Sequence, residues 1–293
     1  MGRLVWDSDR AGSVDIWMLD AGAAEPQQIT TDEATDRVAS LSADGTQIVF
    51  TSDRNGGPDS PTGLRSYALF SITPGDSEPQ HLLGTRTFNG SAMYSPDGSQ
   101  IAFSSDAEGN QQVFLMNADG SGSPARLTED PVQAEMGDWS PDGSRIVFTS
   151  YRDSTGCSET PRGFVACTGY NREVYVMDAH GSNPVRLTDD PADDGAPAWS
   201  PDGSQIVFHS DRAGNDDIYV MNVDGSDIRQ LTSSPAAERF PTWSPDGLMI
   251  AFDYFLDEDN DDIYLMNADG TGVVNLTNSP SRDAFPDWGA LPE

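Results

Sequence analysis

Nearly the same thirteen letters recur along this chain at almost constant intervals. "FPTWSPDGLMIAF" covers residues 240–252 and "APAWSPDGSQIVF" covers 196–208. "AMYSPDGSQIAF" begins at Ala92, "GDWSPDGSRIVF" at Gly137 and a looser "ASLSADGTQIVF" at Ala39, while "FPDWGALPE" closes the chain from Phe285. A period of roughly 20–50 residues means one supersecondary unit copied many times, and it constrains the fold more than any composition could. Aligned on the tryptophan position, the copies fall at Leu41, Tyr94, Trp139, Trp199, Trp243 and Trp288. There are six units.

One unit, residues 240–277, shows what is repeated. "FPTWS" reads as a short strand, and "SPDG" places Pro and Gly where a β-turn uses them. "LMIAFDY" is a second, largely apolar strand. After a polar loop, "DIYLMN" is a third, "NADG" turns it back as a tight hairpin, and "VVNLT" is a fourth. Four antiparallel strands in about 40–45 residues make the blade of a β-propeller. No helical periodicity competes. The chain starts at a second strand, "RLVWDSDR", and ends on a first strand, "AFPDWG". Joining them completes a blade and leaves no open sheet edge. The expected fold is therefore all-β, one six-bladed β-propeller of four-stranded blades over 1–293. Its blades lie near 281–289 with 2–32, then 35–85, 87–130, 132–188, 192–233 and 236–278.

"WSPDGSQIVFHSDRAGNDDIYVMNVDGSDIRQLT" (199–232) resembles the repeat of the TolB-type six-bladed propellers, and the resemblance runs over essentially the whole chain. It implies mostly non-catalytic work: docking of partner proteins at the tunnel mouth, in some members with a calcium ion in the tunnel. Fold alone does not fix function.

Charge narrows the partners. The chain has 37 Asp and 11 Glu against 16 Arg and no Lys, for a net charge of −32. Nucleic acid and anionic membrane would be repelled. No stretch reaches the roughly 18 apolar residues of a membrane helix, and "MGRLVWDSDR" has no apolar leader core, so no membrane insertion is expected. A closed ring carrying so much like charge has no evident reason to self-associate, and a monomer is expected. Cys157 and Cys167 stand in one polar segment, where a disulfide closing a small loop would imply an extracellular or periplasmic home.

Intervals between anchors depart from constancy twice, and both excesses fall in the loop between second and third strands, at 53–66 and 151–172. Elaborated loops on a constant scaffold are where binding functions sit. Tyr151, Phe164, Tyr170, Arg54 and Arg65 are the candidate binding-face residues. Five residues before each anchor stand Asp36, Asn89, Ala134, Asp194, Glu238 and Asp283, with Glu135 following Ala134. If these side chains point into the tunnel mouth, they form an oxygen-rich ring suited to calcium, with Asp36, Asn89, Glu135, Asp194, Glu238 and Asp283 as ligands. Alternatively each caps its own turn.

Other patterns point elsewhere. In the recurring "SDR", the Asp is expected to brace the loop and the Arg to pair with a neighbouring carboxylate. "DEDNDD" (257–262) has calcium-loop spacing but lacks the later Gly and Glu of an EF-hand, so it reads as a solvated turn. Asp7, His209 and Asp253 share a column in the second strand of consecutive blades and could supply a general base, or simply a half-buried polar column. No zinc spacing, nucleophile elbow or phosphate loop is present. The leading expectation is a binding module that docks a protein or peptide on the loop-rich face. A calcium-dependent lactonase or esterase, and a carbohydrate binder using exposed aromatics, are the alternatives.

Overall fold

The computed structural model describes residues 2–54, 66–84, 87–160, 165–257 and 260–292. Among them are six four-stranded antiparallel sheets, the blades of a propeller, and one extra two-stranded ribbon. The strands Gly2–Ser8, Asp15–Asp20 and Gln27–Gln28 take Asp283–Ala290 from the other end of the chain as their inner strand. This is blade 1, and the ring closes as the sequence required. Blades 2 to 6 begin at the inner strands Asp36–Leu41, Asn89–Tyr94, Ala134–Trp139, Asp194–Trp199 and Ala237–Trp243. Each inner strand touches the next around the ring.

Second strands such as "IVFTS" (Ile48–Ser52) are buried along their whole length, because a blade is covered on both faces by its neighbours. The core is accordingly divided into six clusters, one between each pair of adjacent blades. Phe50 and Phe70 of blade 2 pack with Val5, Ile16 and Met18 of blade 1. Leu4 and Trp6 of blade 1 pack with Ala251 and Ile263 of blade 6, sealing the ring. Fully burying a side chain of this kind contributes roughly 1.5–3 kcal/mol.

Every inner strand carries a β-bulge halfway along. In five blades the bulge holds a non-glycine residue at positive φ: Val38, Ser91, Ala196, Phe240 and Phe285, at 45–56°. Left-handed backbone is costly for a β-branched or bulky residue, so the same kink held five times is a designed feature of the fold. Blade 4 uses a shorter bulge at Gly137, where an added Cβ would lie 2.8 Å from Pro197 and from the Val147 carbonyl. These kinks set which side chains line the axis.

The described residues of blade 4's long insertion form a ribbon. Ser158–Glu159 pairs with Val165–Ala166, Thr155 bridges Gly169, and Cys157 and Cys167 form the expected disulfide. "DEDNDD" is not simply a turn: Asp261 and Asp262 belong to the strand Asn260–Asn267, where Asp262 accepts hydrogen bonds from Thr277 and the Ser279 N–H.

Candidate functional site

Asp36, Asp194 and Asp283 are fully buried, and each is bound by an arginine of its own blade. Arg54 donates to Asp36 at 2.7 Å, Arg212 donates to both oxygens of Asp194 at 2.9 Å, and Arg10 donates to Asp283 at 2.6 Å. Each arginine is the last residue of a Ser-x-Arg triplet whose serine hydroxyl accepts from its Nε, and its guanidinium lies over two aromatic rings. Those ring pairs are Trp6 and Trp17, Phe50 and Phe70, and Phe208 and Tyr219. Burial pushes the carboxyls of Asp36 and Asp194 up, against the pull of serine and arginine donors. The aspartate of "SDR" braces the loop as expected: Asp9 and Asp211 accept from the backbone N–H groups of Arg282 and Asp193.

The remaining blades show that carboxylate and arginine go together. Blade 3 has Ala107 at the arginine position, and the neutral Asn89 replaces the acid, donating to the carbonyls of Tyr67 and Gly84. In blade 4 the inner strand begins with Ala134, and Asp130 from the preceding connector pairs with Arg152 instead. Blade 6 has no such arginine, and Glu238 is buried beside Thr232, Ser234 and Asp217, which leaves its carboxyl raised mainly by desolvation.

Asp36, Asp194 and Asp283 thus each meet an arginine of their own blade, and among the described residues no group of three His, Cys, Asp or Glu side chains is placed to hold a metal ion. Calorimetric calcium titration of EDTA-treated protein is expected to give no saturable site that depends on Asp194 and Asp283. A site lost in the D194A/D283A double variant would restore the ring.

Arg54 is likewise turned inward, clamped between Asp36, Asp32 and the two phenylalanines, so it contributes nothing to a binding face. Arg65 and Phe164 lie outside the described residues. Tyr170 is 54% exposed at the foot of the disulfide ribbon and meets the half-buried Tyr151 edge-to-face at 5.9 Å. The two rings make no flat platform.

The ribbon ends on Arg172, and Arg172 ties it to the axis. Its guanidinium grips Asp193 at 2.8 and 3.1 Å, lies 3.7 Å from Glu135, and approaches His209 Nε2 at 3.1 Å. Gly195 makes this possible, since a Cβ there would stand 2.4 Å from the guanidinium. Burial and the adjacent Arg172 push His209 well below its usual pKa, so it is neutral, and its ring packs on Phe240. Phe240 in turn packs on Phe285 at 4.4 Å between centroids. A path of contacts thus runs from Arg172, two residues along the chain from exposed Tyr170, through His209 and Phe240 to Phe285 on the tunnel wall.

No hydrogen bond joins His209 to Asp7 or Asp253 among the described residues. Asp7 is held by Arg282 yet raised to about 6 by burial, and Asp253 accepts from the Phe285 N–H. The column braces neighbouring blades rather than assembling a general base.

Phe240 and Phe285 line a cavity of about 110 Å³ on the propeller axis, built from three consecutive residues of all six inner strands. Its walls are largely apolar, with Met93, Met136 and prolines 197, 241 and 286. Two carboxylates break that pattern: Asp138 of blade 4 and Asp287 of blade 1. Residues 164–254 match the TolB beta propeller domain family. The chain is a TolB-like six-bladed β-propeller. It is 34% identical over 137 residues to the Tol-Pal system protein TolB of Anaeromyxobacter dehalogenans, which covers 47% of this chain and 27% of that protein. Over 144 residues it is 31% identical to an uncharacterized peptidase, YuxL, of Bacillus subtilis, covering 42% of this chain and 22% of that one. The crystal structure of TolB from Acinetobacter baumannii superposes on 99% of this chain and 67% of its own, with a TM-score of 0.79 at 19% identity. The curated relatives are thus matched over well under half of their own lengths.

Proposed function

We propose that this propeller docks a protein or peptide on the face that carries the disulfide ribbon, at the mouth of its axial tunnel. The observation that carries this reading is the path of contacts from Arg172, at the foot of the ribbon two residues from Tyr170, through His209 to Phe240. The largest described departure from the repeat is anchored by a buried arginine onto the tunnel lining, and a neutrally drifting surface loop has no need of that anchor. An exposed tyrosine beside a rigid concave opening is also the kind of anchor that dominates binding energy at interfaces. The disulfide and the Tol-Pal name of one relative support a periplasmic or extracellular setting. Among the described residues no helix is long and apolar enough to cross a membrane.

Display selection of random peptides on the immobilised protein tests the docking face. Selected peptides are expected to lose at least about tenfold in affinity on Tyr170→Ala, a loss of more than roughly 1.4 kcal/mol, while Leu248→Ala, at an exposed S-P-D-G turn on the opposite face, leaves them unchanged. Peptides indifferent to Tyr170 but sensitive to the opposite face would overturn it.

A further inference from the structure

Asp138 and Asp287 have no role in the docking path. They occupy the same position of the inner strand, one residue before the anchor, in blades 1 and 4, so they face each other across the axis three blades apart. Both line the axial cavity. Asp138 accepts from the Trp139 and Trp199 N–H groups at 2.7 and 2.9 Å, and Asp287 accepts from the Leu41 N–H at 2.8 Å. These bonds fix the carboxyl groups in place but do not neutralise them. Asp36, Asp130, Asp194 and Asp283 each have an arginine, whereas among the described residues none is paired with Asp138 or Asp287. Surrounded by protein except where they face the cavity, the two acids also oppose each other. Burial raises both, Asp138 to about 7 with Asp287 as a contributing charge.

Above them the cavity is greasy. Phe285 and Phe240 stand at the bulge, two residues before the acid position, a separation of about 7 Å along a strand. Met93 and Met136 complete the wall. Its volume of about 110 Å³ compares with the roughly 10–15 Å³ that one water requires, so a chain of several heavy atoms fits. An apolar pocket with a few convergent polar groups of perturbed acidity is the usual form of a small-ligand site. No arginine stands among the cavity's lining residues to balance the two carboxylates.

The acid-bearing end of the tunnel leads directly into the S-x-D-G turns. Asp44, Asp97, Asp142, Asp202 and Asp246 stand there, and serine hydroxyl and backbone donors hold each carboxyl low, with Asp97 and Asp142 at about 2. Five permanent negative charges at that end raise the local concentration of cations.

We infer that the axial cavity is a binding site for an alkylammonium group, its methylene chain against Phe240, Phe285 and Met93 and its charged head between Asp138 and Asp287. The group could belong to a free aliphatic amine or to a lysine side chain of a docked protein. The site does not require the docking face to be the one proposed above, so the two readings fail separately.

The probe is n-butylammonium chloride, titrated calorimetrically into the intact protein at pH 8 and 150 mM NaCl, with n-butanol as its uncharged counterpart. Saturable one-site binding at least tenfold tighter than n-butanol is expected. Asp138→Asn and Asp287→Asn each keep an acceptor oxygen for the backbone N–H groups, and each is expected to weaken binding at least tenfold. Asp97→Asn, which removes one turn charge only, should leave it within about twofold. Equal binding of n-butanol, or binding unaffected by D138N/D287N in a variant with wild-type circular dichroism and melting temperature, overturns the site. A pentapeptide with central lysine, compared with its norleucine counterpart, separates the sources. Lysine-dependent binding tighter than butylammonium identifies a protein ligand, and binding of the free amine alone identifies a small one.

Discussion

Arg212→Ala is expected to cost about 3–5 kcal/mol of folding stability, read as a fall in the urea midpoint of the circular dichroism transition. Removing one partner of a buried ion pair leaves the other as an uncompensated charge, and that is the penalty being measured. Asp194 is fully buried and takes both Arg212 hydrogen bonds, and the same guanidinium covers Phe208 and Tyr219. Cation–π contacts of that kind contribute roughly 0.5–2 kcal/mol beyond the ion pair. The sign with pH follows from the same chemistry. Burial already raises Asp194, and without the arginine only the Ser210 and Thr188 hydroxyls oppose that rise, so the folded variant binds a proton that the unfolded chain has released. Its stability therefore declines as pH rises above the unfolded aspartate value and levels off beyond the raised folded one. The deficit should be smaller near pH 4 than at pH 8. D194N/R212A, which removes both charges, should recover part of the loss, as Asn89 shows that a neutral residue is tolerated at this position when no arginine is present. A deficit below about 1 kcal/mol, or one flat with pH, would mean that the pair is solvated.

This clamp explains what could and could not be read from the chain. Six blades, their four strands and the closure of the ring were legible, because each rests on local signals repeated many times: the Pro and Gly of "SPDG", the apolar second strand, the truncated ends. The carboxylates at the inner-strand entrances were legible as a ring but not in their role. Their direction depends on the guanidinium that comes to them across the blade, some 18 positions away in sequence for Arg54 and Arg212. A signal was present all the same. Blade by blade, Asp accompanies Arg in blades 1, 2 and 5, while Asn89 accompanies Ala107 in blade 3, so the six copies together report the pairing that no one copy reveals. The link from Arg172 to His209 and Phe240 had no such signal, since it occurs once and joins an insertion to two different blades. Asp138 and Asp287 were invisible for a related reason. They fall at the same strand position as Ser40, Met93, Ala198 and Thr242, and only the bulge, which shifts the register by different amounts in different blades, decides that this position lines the axis.

Ending the chain after Arg282 is expected to destroy the cooperative monomer. The strand Asp283–Ala290 pairs with Gly2–Ser8 through Gly2, Arg3, Leu4, Val5, Asp7 and Ser8, and all of Gly2–Ser8 is buried. Its loss uncovers a row of unpaired backbone donors and acceptors on an apolar strand, the arrangement that recruits another chain. Contacts across the ring disappear with it. Arg10 and Trp6 lose Asp283 as their acceptor, Asp253 no longer receives the Phe285 N–H, and the Leu41 N–H loses Asp287. Arg10 then loses its carboxylate partner and the buried Asp253 loses its backbone donor, in two different blades, so the damage cannot stay in blade 1. Light scattering after size exclusion should show self-association, and the urea transition should broaden or vanish. A circular permutant separates closure from mere loss of residues. Gly2 lies opposite Ala290, so a short Ser-Pro-Asp-Gly link between them joins the two strands by a turn two residues longer than that of the other blades, and new ends fit in the exposed turn between Ala24 and Glu25. That permutant keeps every strand pair and should keep the wild-type midpoint to within about 1 kcal/mol, since the opened turn makes few buried contacts. A truncated chain that stayed monomeric and melted like the full one would show that the blades hold together through their faces alone.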